Sequence, residues 1–242
     1  MLHYTLFNKE KITSNTILAL DTESTSFWKD KDGKFYNWDP NIPDEVYNEE
    51  FEKGSVCYIW MLGIEDEVYY GRELTELQFF LDTIKSKAEL KNPDKDKIYI
   101  YVHNLAWDFT FLLNLDIEIE NLFARQLRKV MKFTSGIFEF RCSYMLENLS
   151  LATWGEQVGI QKLYSDMDYN ILRTPKTPLF DFEFDYAEHD ILIMLAGLKK
   201  EREFYKKVKS IPLTATGKVR KVVRKMYERN VFLYVTHQRP KP

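Results

Sequence analysis

The chain has 242 residues, of which 45% are apolar, 15% aromatic and 29% charged, with a formal net charge of −3. That is enough apolar matter for one sizeable core, and too even a charge balance to mark a chain that binds polyanions through its overall charge. Two distant cysteines, Cys57 and Cys142, exclude a disulfide framework and a cysteine-based zinc cluster.

The N-terminus, MLHYTLFNKEKI, lacks the basic-then-apolar order of a signal peptide, and no apolar run nears the ~20 residues that span a bilayer. A soluble protein of the cytoplasm is expected, including a phage protein in its host's cytoplasm, with no membrane partner. Residues 16–21, TILALD, are a short β-rich run ending in a carboxylate. Residues 28–54 are polar and carry Gly33, Pro40 and Pro43, which predicts an irregular inserted loop. SVCYIWML at 55–62 predicts a buried strand, with EVYYG at 67–71 as its hairpin partner. Leu74, Leu77, Phe80, Leu81 and Ile84 recur at helical spacing and share one face. KIYIYVHN at 97–104 is a strand pattern, and AWDFTFLLNL at 106–115 a helical one. Two strands, 128–134 and 137–144, meet near Ser135 and Gly136, and LATWGEQVGI follows as a short helix. A loop marked by Pro175 and Pro178 covers 161–180, and the longest helix covers 183–206. Last come a basic helix, GKVRKVVRKMYERN, and an apolar tail, VFLYV. This order predicts an α/β fold with a mixed central sheet flanked by helices, plus a helical C-terminal extension.

Four carboxylates stand out by context. Asp21 and Glu23 lie two residues apart at the expected end of a strand, so alternation puts both on one side. Such a pair repels itself unless a cation lies between, and hard oxygen ligands suit magnesium or manganese. Asp108 lies at the start of the helix after a strand. Asp190 lies in the long helix with Tyr186 one turn earlier on the same face, so a phenol and a carboxylate project together. Singly, each feature has an ordinary explanation: a solvated turn, a helix-start charge, a chance spacing. Together, and in this order, they point to a site for two divalent cations that activates water and stabilises a leaving oxygen.

These residues resemble the exonuclease domain of protein-primed, phage-type family B DNA polymerases, in the DEDDy group of the ribonuclease H-like fold. ALDTES resembles its first motif, HNLAWDFTFLL its second and YAEHD its third. The resemblance implies Asp21, Glu23, Asp108 and Asp190 as ligands of two Mg2+ or Mn2+ ions, and Tyr186 as the residue that orients the attacking water. It implies that Asn104 and Phe111, with His103 beside them, contact single-stranded DNA. SLATW resembles a further strand-gripping motif, implying Ser150 and Leu151, and LYSDMDY resembles a segment whose tyrosine would be Tyr169. In that segment the lysine position holds Tyr164, and the nearest lysine is Lys162. Of the single aromatics, Trp107 and Trp154 are expected in the core.

The resemblance implies a 3′→5′ exonuclease domain over residues 1–210, with 28–54 as its insertion, and a basic linker-like helix and tail over 211–242. No polymerase motif is present, so DNA synthesis by this chain alone is not expected. The expected partner is the 3′ end of single-stranded DNA, together with a separate polymerase-domain chain or a terminal protein. A strand-binding or docking module with little activity of its own is the alternative, and an exonuclease acting on RNA is a third reading.

Overall fold

A computed structural model describes residues 1–37, 51–92, 95–126, 129–163 and 171–237, with side chains through 228. Its centre is strand β3 (Leu18–Asp30), whose first residues alternate between two apolar faces. Leu18 and Leu20 enter one core, and Ile17 and Ala19 the other. A strand apolar on both sides must be covered on both sides, and the rest of the chain does this.

On one edge β3 pairs antiparallel with β5 (Phe51–Ile64) along its whole length, from Leu18 opposite Ile64 to Asp30 opposite Phe51. On the other edge it pairs in parallel with β8 (Ile98–Val102), but only from Leu18 to Leu20. Among the described residues the sheet runs β1 (Leu2–His3), β6 (Glu67–Gly71), β5, β3, β8, β11 (Phe138–Cys142), β10 (Val130–Ser135) and β9 (Glu120–Ala124). β4 (Phe35–Asn37) adds to the far end of β3, while β2 (Ile12–Thr13) and β7 (Ala88–Glu89) form a separate pair. Parallel and antiparallel neighbours are therefore mixed in one large sheet, as the sequence predicted.

Helices α1 (Leu74–Ser86) and α2 (Leu105–Leu112) cover one face. The buried side of α1 carries Leu77, Phe80, Leu81 and Ile84, which share the apolar face read from their spacing. The opposite face is covered by α4 (Leu151–Val158) and the long α5 (Asp181–Tyr205), after a single turn and a half of helix, α3 (Ser143–Glu147). Gly197 sets how closely α4 and α5 approach: a Cβ there would lie 2.1 Å from the Trp154 ring. Trp154 is buried in this core, as expected.

The final helix, α6 (Ala215–His237), runs on through VFLYV, the apolar run expected to form a tail. It is anchored at its start. Lys218 bridges Glu147 of α3 and Glu201 of α5, and Arg141 of β11 donates to the Ile211 carbonyl and stacks over the Tyr99 ring. No described helix is long and apolar enough to cross a membrane.

The expected insertion needs correction at both ends. β3 continues to Asp30 and β5 begins at Phe51, so 28–30 and 51–54 are a paired ribbon rather than loop. Trp28 is buried there, while Lys29, Asp30, Glu52 and Lys53 sit on a ribbon with little to cover its second side. A strand solvated on one side can carry such charges, which is why composition alone misread it. Residues 38–50 lie outside the described residues.

Candidate metal centre and its surroundings

The sequence put Asp21 and Glu23 at a strand end; they lie in the middle of β3 instead. What ends there is the pairing with β8, at Leu20 opposite Val102. Past that point no described strand pairs with the β8-side edge of β3 until β4 joins it at Phe27, and the chain leaving β8 turns into α2 through Asn104, in the left-handed conformation (φ 64°). Asp21 and Glu23 continue the face of Ile17 and Ala19, towards α5. There Asp190 lies one helical turn beyond Tyr186 on the same side.

These segments converge. One carboxylate oxygen each from Asp21, Glu23 and Asp190 lie within 4.8 Å of one another. Asp108, in the first turn of α2, is buried beside them and accepts a hydrogen bond from the Thr22 hydroxyl at 2.7 Å. It stands outside the tight trio, yet its charge bears on both Asp21 and Glu23.

The electrostatics record the crowding. Burial raises the Asp21 carboxyl well above the ordinary range, and Asp108, Glu23 and Asp190 raise it further. Glu23 is pushed up to about 8, first by burial and then by Asp190. Burial lifts Asp108 to about 7 against the pull of the Thr22 hydroxyl, and burial also raises Asp190. Carboxylates this close and this dry call for compensating positive charge.

Among the described residues, Lys162 and, for Glu23, Arg173 supply some of that positive charge. The Lys162 ammonium lies 2.6 Å from Asp190 Oδ2 and 5.1 Å from the centre of the Tyr186 ring. The position that the motif gives to a lysine holds Tyr164 here, which lies outside the described residues. The one usable signal was proximity: a lysine two residues from the expected position. Asp190 Oδ1 is buried and, among the described residues, meets no hydrogen-bond donor. An orphaned carboxylate oxygen within a trio of hard oxygen donors fits a divalent cation such as magnesium or manganese.

The residues expected to grip a strand divide into several groups. Asn104 is exposed at the mouth of α2. His103 is half-buried, shares a 3.1 Å hydrogen bond with Ser143 and stacks on Trp154. Burial, then Lys162, lowers its pKa to about 4, so it is neutral at neutral pH. Ser150 caps α4, accepting from the Thr153 amide at 3.2 Å, and Leu151 is buried among the helices. Tyr169 lies outside the described residues.

Phe111 and Trp107 reverse their expected places. Phe111 is 5% exposed and packs in the core with Leu105 and Leu112, whereas Trp107 is 49% exposed. On a helix as apolar as LAWDFTFL, composition does not say which side faces inward. The sheet decides it, and Leu105, Asp108, Phe111 and Leu112 take the inner side. The Trp107 indole N–H then reaches Ser24 Oγ at 3.3 Å, just past Glu23 on β3.

A strap after residue 170 closes the other flank. Arg173 donates to Glu183 at 2.6 Å, with both side chains buried, and its amide reaches Thr25 of β3 at 3.4 Å. Arg72 donates to the carbonyls of Tyr58, Thr174 and Thr177. The strap is thereby tied to β3, β5 and α5 beside the carboxylates.

Solved structures with this arrangement of strands and helices exist. The chain resembles part of a DNA polymerase in fold. Phi29 DNA polymerase complexed with single-stranded DNA matches with a TM-score of 0.52 at 12% identity, over 78% of this chain and 31% of that one. The same polymerase complexed with primer-template DNA matches with a TM-score of 0.53 at 13% identity, over the same shares. This chain thus spans 31% of the polymerase's length. No protein-family model and no curated protein matches the sequence.

Proposed function

We propose that this chain is a metal-dependent 3′→5′ exonuclease of the ribonuclease H-like fold, acting on single-stranded or frayed DNA ends. The observation that carries this reading is the meeting of Asp21, Glu23 and Asp190, with Asp108 beside them, from three separate segments of the chain. The mixed sheet flanked by helices is compatible with that fold, and the likeness to a polymerase complexed with DNA supports DNA as the substrate.

In this reading water adds to the phosphorus of the last phosphodiester, and the bond to the 3′ oxygen breaks. A nucleoside 5′-monophosphate leaves, and the shortened strand keeps a 3′-hydroxyl. Asp21, Glu23, Asp108 and Asp190 would hold two divalent cations. When bound, these ions supply activation of the attacking water and charge stabilisation of the leaving oxygen. The Tyr186 phenol, on the same side of α5 as Asp190, holds that water in line. Lys162 carries positive charge to Asp190 Oδ2, where a scissile phosphate needs it. Trp107, exposed beside Ser24, offers its face to a terminal base.

The test is digestion of 5′-labelled single-stranded DNA with magnesium, manganese or chelator. A metal-dependent ladder shortening from the 3′ end is expected, and intact DNA with folded protein in every metal would reject the reading. Tyr186→Phe should slow turnover roughly 10- to 100-fold by loosening the water, with metal affinity unchanged. Calorimetric Mn2+ titration beside single-turnover rates checks both halves. Trp107→Ala should weaken single-strand binding by ~1–3 kcal/mol, the usual worth of one base stacked on an aromatic ring. Fluorescence anisotropy with a labelled oligonucleotide reads this, and unchanged affinity would return Trp107 to the role of a surface residue.

A docking module within a polymerase assembly is the second reading, and α6 favours it. Val219, Val223, Met226 and Tyr227 are exposed on it, among Arg220, Lys221, Arg224 and Lys225. A single-stranded-DNA digest by the chain alone separates the two: a docking module with little activity leaves the strand intact.

A further inference from the structure

Resting on the reading of Asp108 as a cation ligand, we infer that Thr22 is a positioning residue for that carboxylate. Thr22 stands between Asp21 and Glu23 in β3, and alternation turns it to the opposite face of the sheet. That is the face of Leu18 and Leu20, the one on which α2 packs. There its hydroxyl donates to Asp108 Oδ1 at 2.7 Å. Both side chains are buried, and no other described side chain donates to Asp108.

The geometry has a consequence for the site. Asp21, Glu23 and Asp190 reach it from one face of β3, while Asp108 reaches it from the other, on a helix of eight residues. A carboxylate can spin about its last torsion, which is broad and poorly restrained. The Thr22 hydroxyl holds one oxygen, alongside backbone donors at Thr22 and Asp108, and so restrains the plane of the group. One stretch of strand therefore carries two ligands on one face and the device that aims a third on the other. Partners of this kind that hold a ligand in place are commonly worth 10- to 100-fold in metal affinity.

The experiment compares Thr22→Val, Thr22→Ser and Asp108→Asn by calorimetric Mn2+ titration and thermal melting. Valine keeps the shape and β-branching of threonine and removes only the donor; serine keeps the donor. Thr22→Val is expected to weaken Mn2+ binding about 10-fold or more, and Thr22→Ser to stay within about twofold of the parent, both with near-parental melting. If Thr22→Val fails to fold, Thr22→Ala takes its place with the same expectation. Parental Mn2+ affinity in the donorless variant, beside a loss in Asp108→Asn, overturns the role of Thr22 and leaves Asp108 as a ligand. Parental affinity in Asp108→Asn overturns the ligand reading itself, and the inference about Thr22 with it.

Discussion

Replacing Asp21 or Asp108 with alanine should lower nucleotide release by at least about 10³-fold, a loss of ~4 kcal/mol of transition-state stabilisation. Each carboxylate sits where the others cannot substitute for it. Asp21 is mid-strand in the trio, and Asp108 comes from the far face of the sheet, held by Thr22. The folded state should survive both changes. Burial holds both carboxyls above their ordinary range, and neighbouring acids raise Asp21 further, so removing either takes an unfavourably buried charge out of the core. Release of labelled mononucleotide, measured beside circular-dichroism melting, decides the matter. A folded variant that kept normal turnover would end the assignment of that residue.

Metal binding should be strongly linked to pH, and the metal-free protein should respond in the opposite sense. Glu23 is raised to about 8 and Asp108 to about 7, with Asp21 and Asp190 raised as well. Between the ordinary carboxylate range and those values the folded chain holds protons that the unfolded chain has released. The metal-free fold is therefore favoured at lower pH and loses stability as pH rises through that window. A cation must displace the same protons, so its apparent affinity rises with pH up to about pH 8, about tenfold per unit for each proton displaced. Melting curves with chelator and with Mn2+, at about pH 6 and about pH 8, should diverge: a small gap in acid and a wide one in alkali. An Mn2+ stabilisation of equal size at both pH values would show that these carboxylates are not the ligands.

Much of this architecture is local in origin and could be read before any coordinates. Alternation in LALDTE is a property of β backbone, so Asp21 and Glu23 had to share a face once the strand formed. Helical spacing likewise joins Tyr186 to Asp190, and it buries Leu77, Phe80, Leu81 and Ile84 together. The long strand ribbon was legible only in part, because Lys29, Asp30, Glu52 and Lys53 imitate a loop when one side of a strand is solvated.

The tertiary structure decided what depends on distance through space. The apolar helix LAWDFTFL has no polar side to mark its outside, so only packing on the sheet sends Phe111 inward and Trp107 out towards Ser24. Lys162 leaves a segment without periodicity, and nothing in its neighbours along the chain encodes that its ammonium meets Asp190. Thr22 is the sharpest case. Its place between two candidate ligands was in plain view, yet its partner Asp108 lies on another element, and that hydrogen bond exists only because α2 packs on the second face of β3. The sequence by itself determined which of the candidate carboxylates share a face, since backbone periodicity is local. The packing of helices on the sheet determined what compensates and aims those carboxylates, because it is settled by the whole core at once.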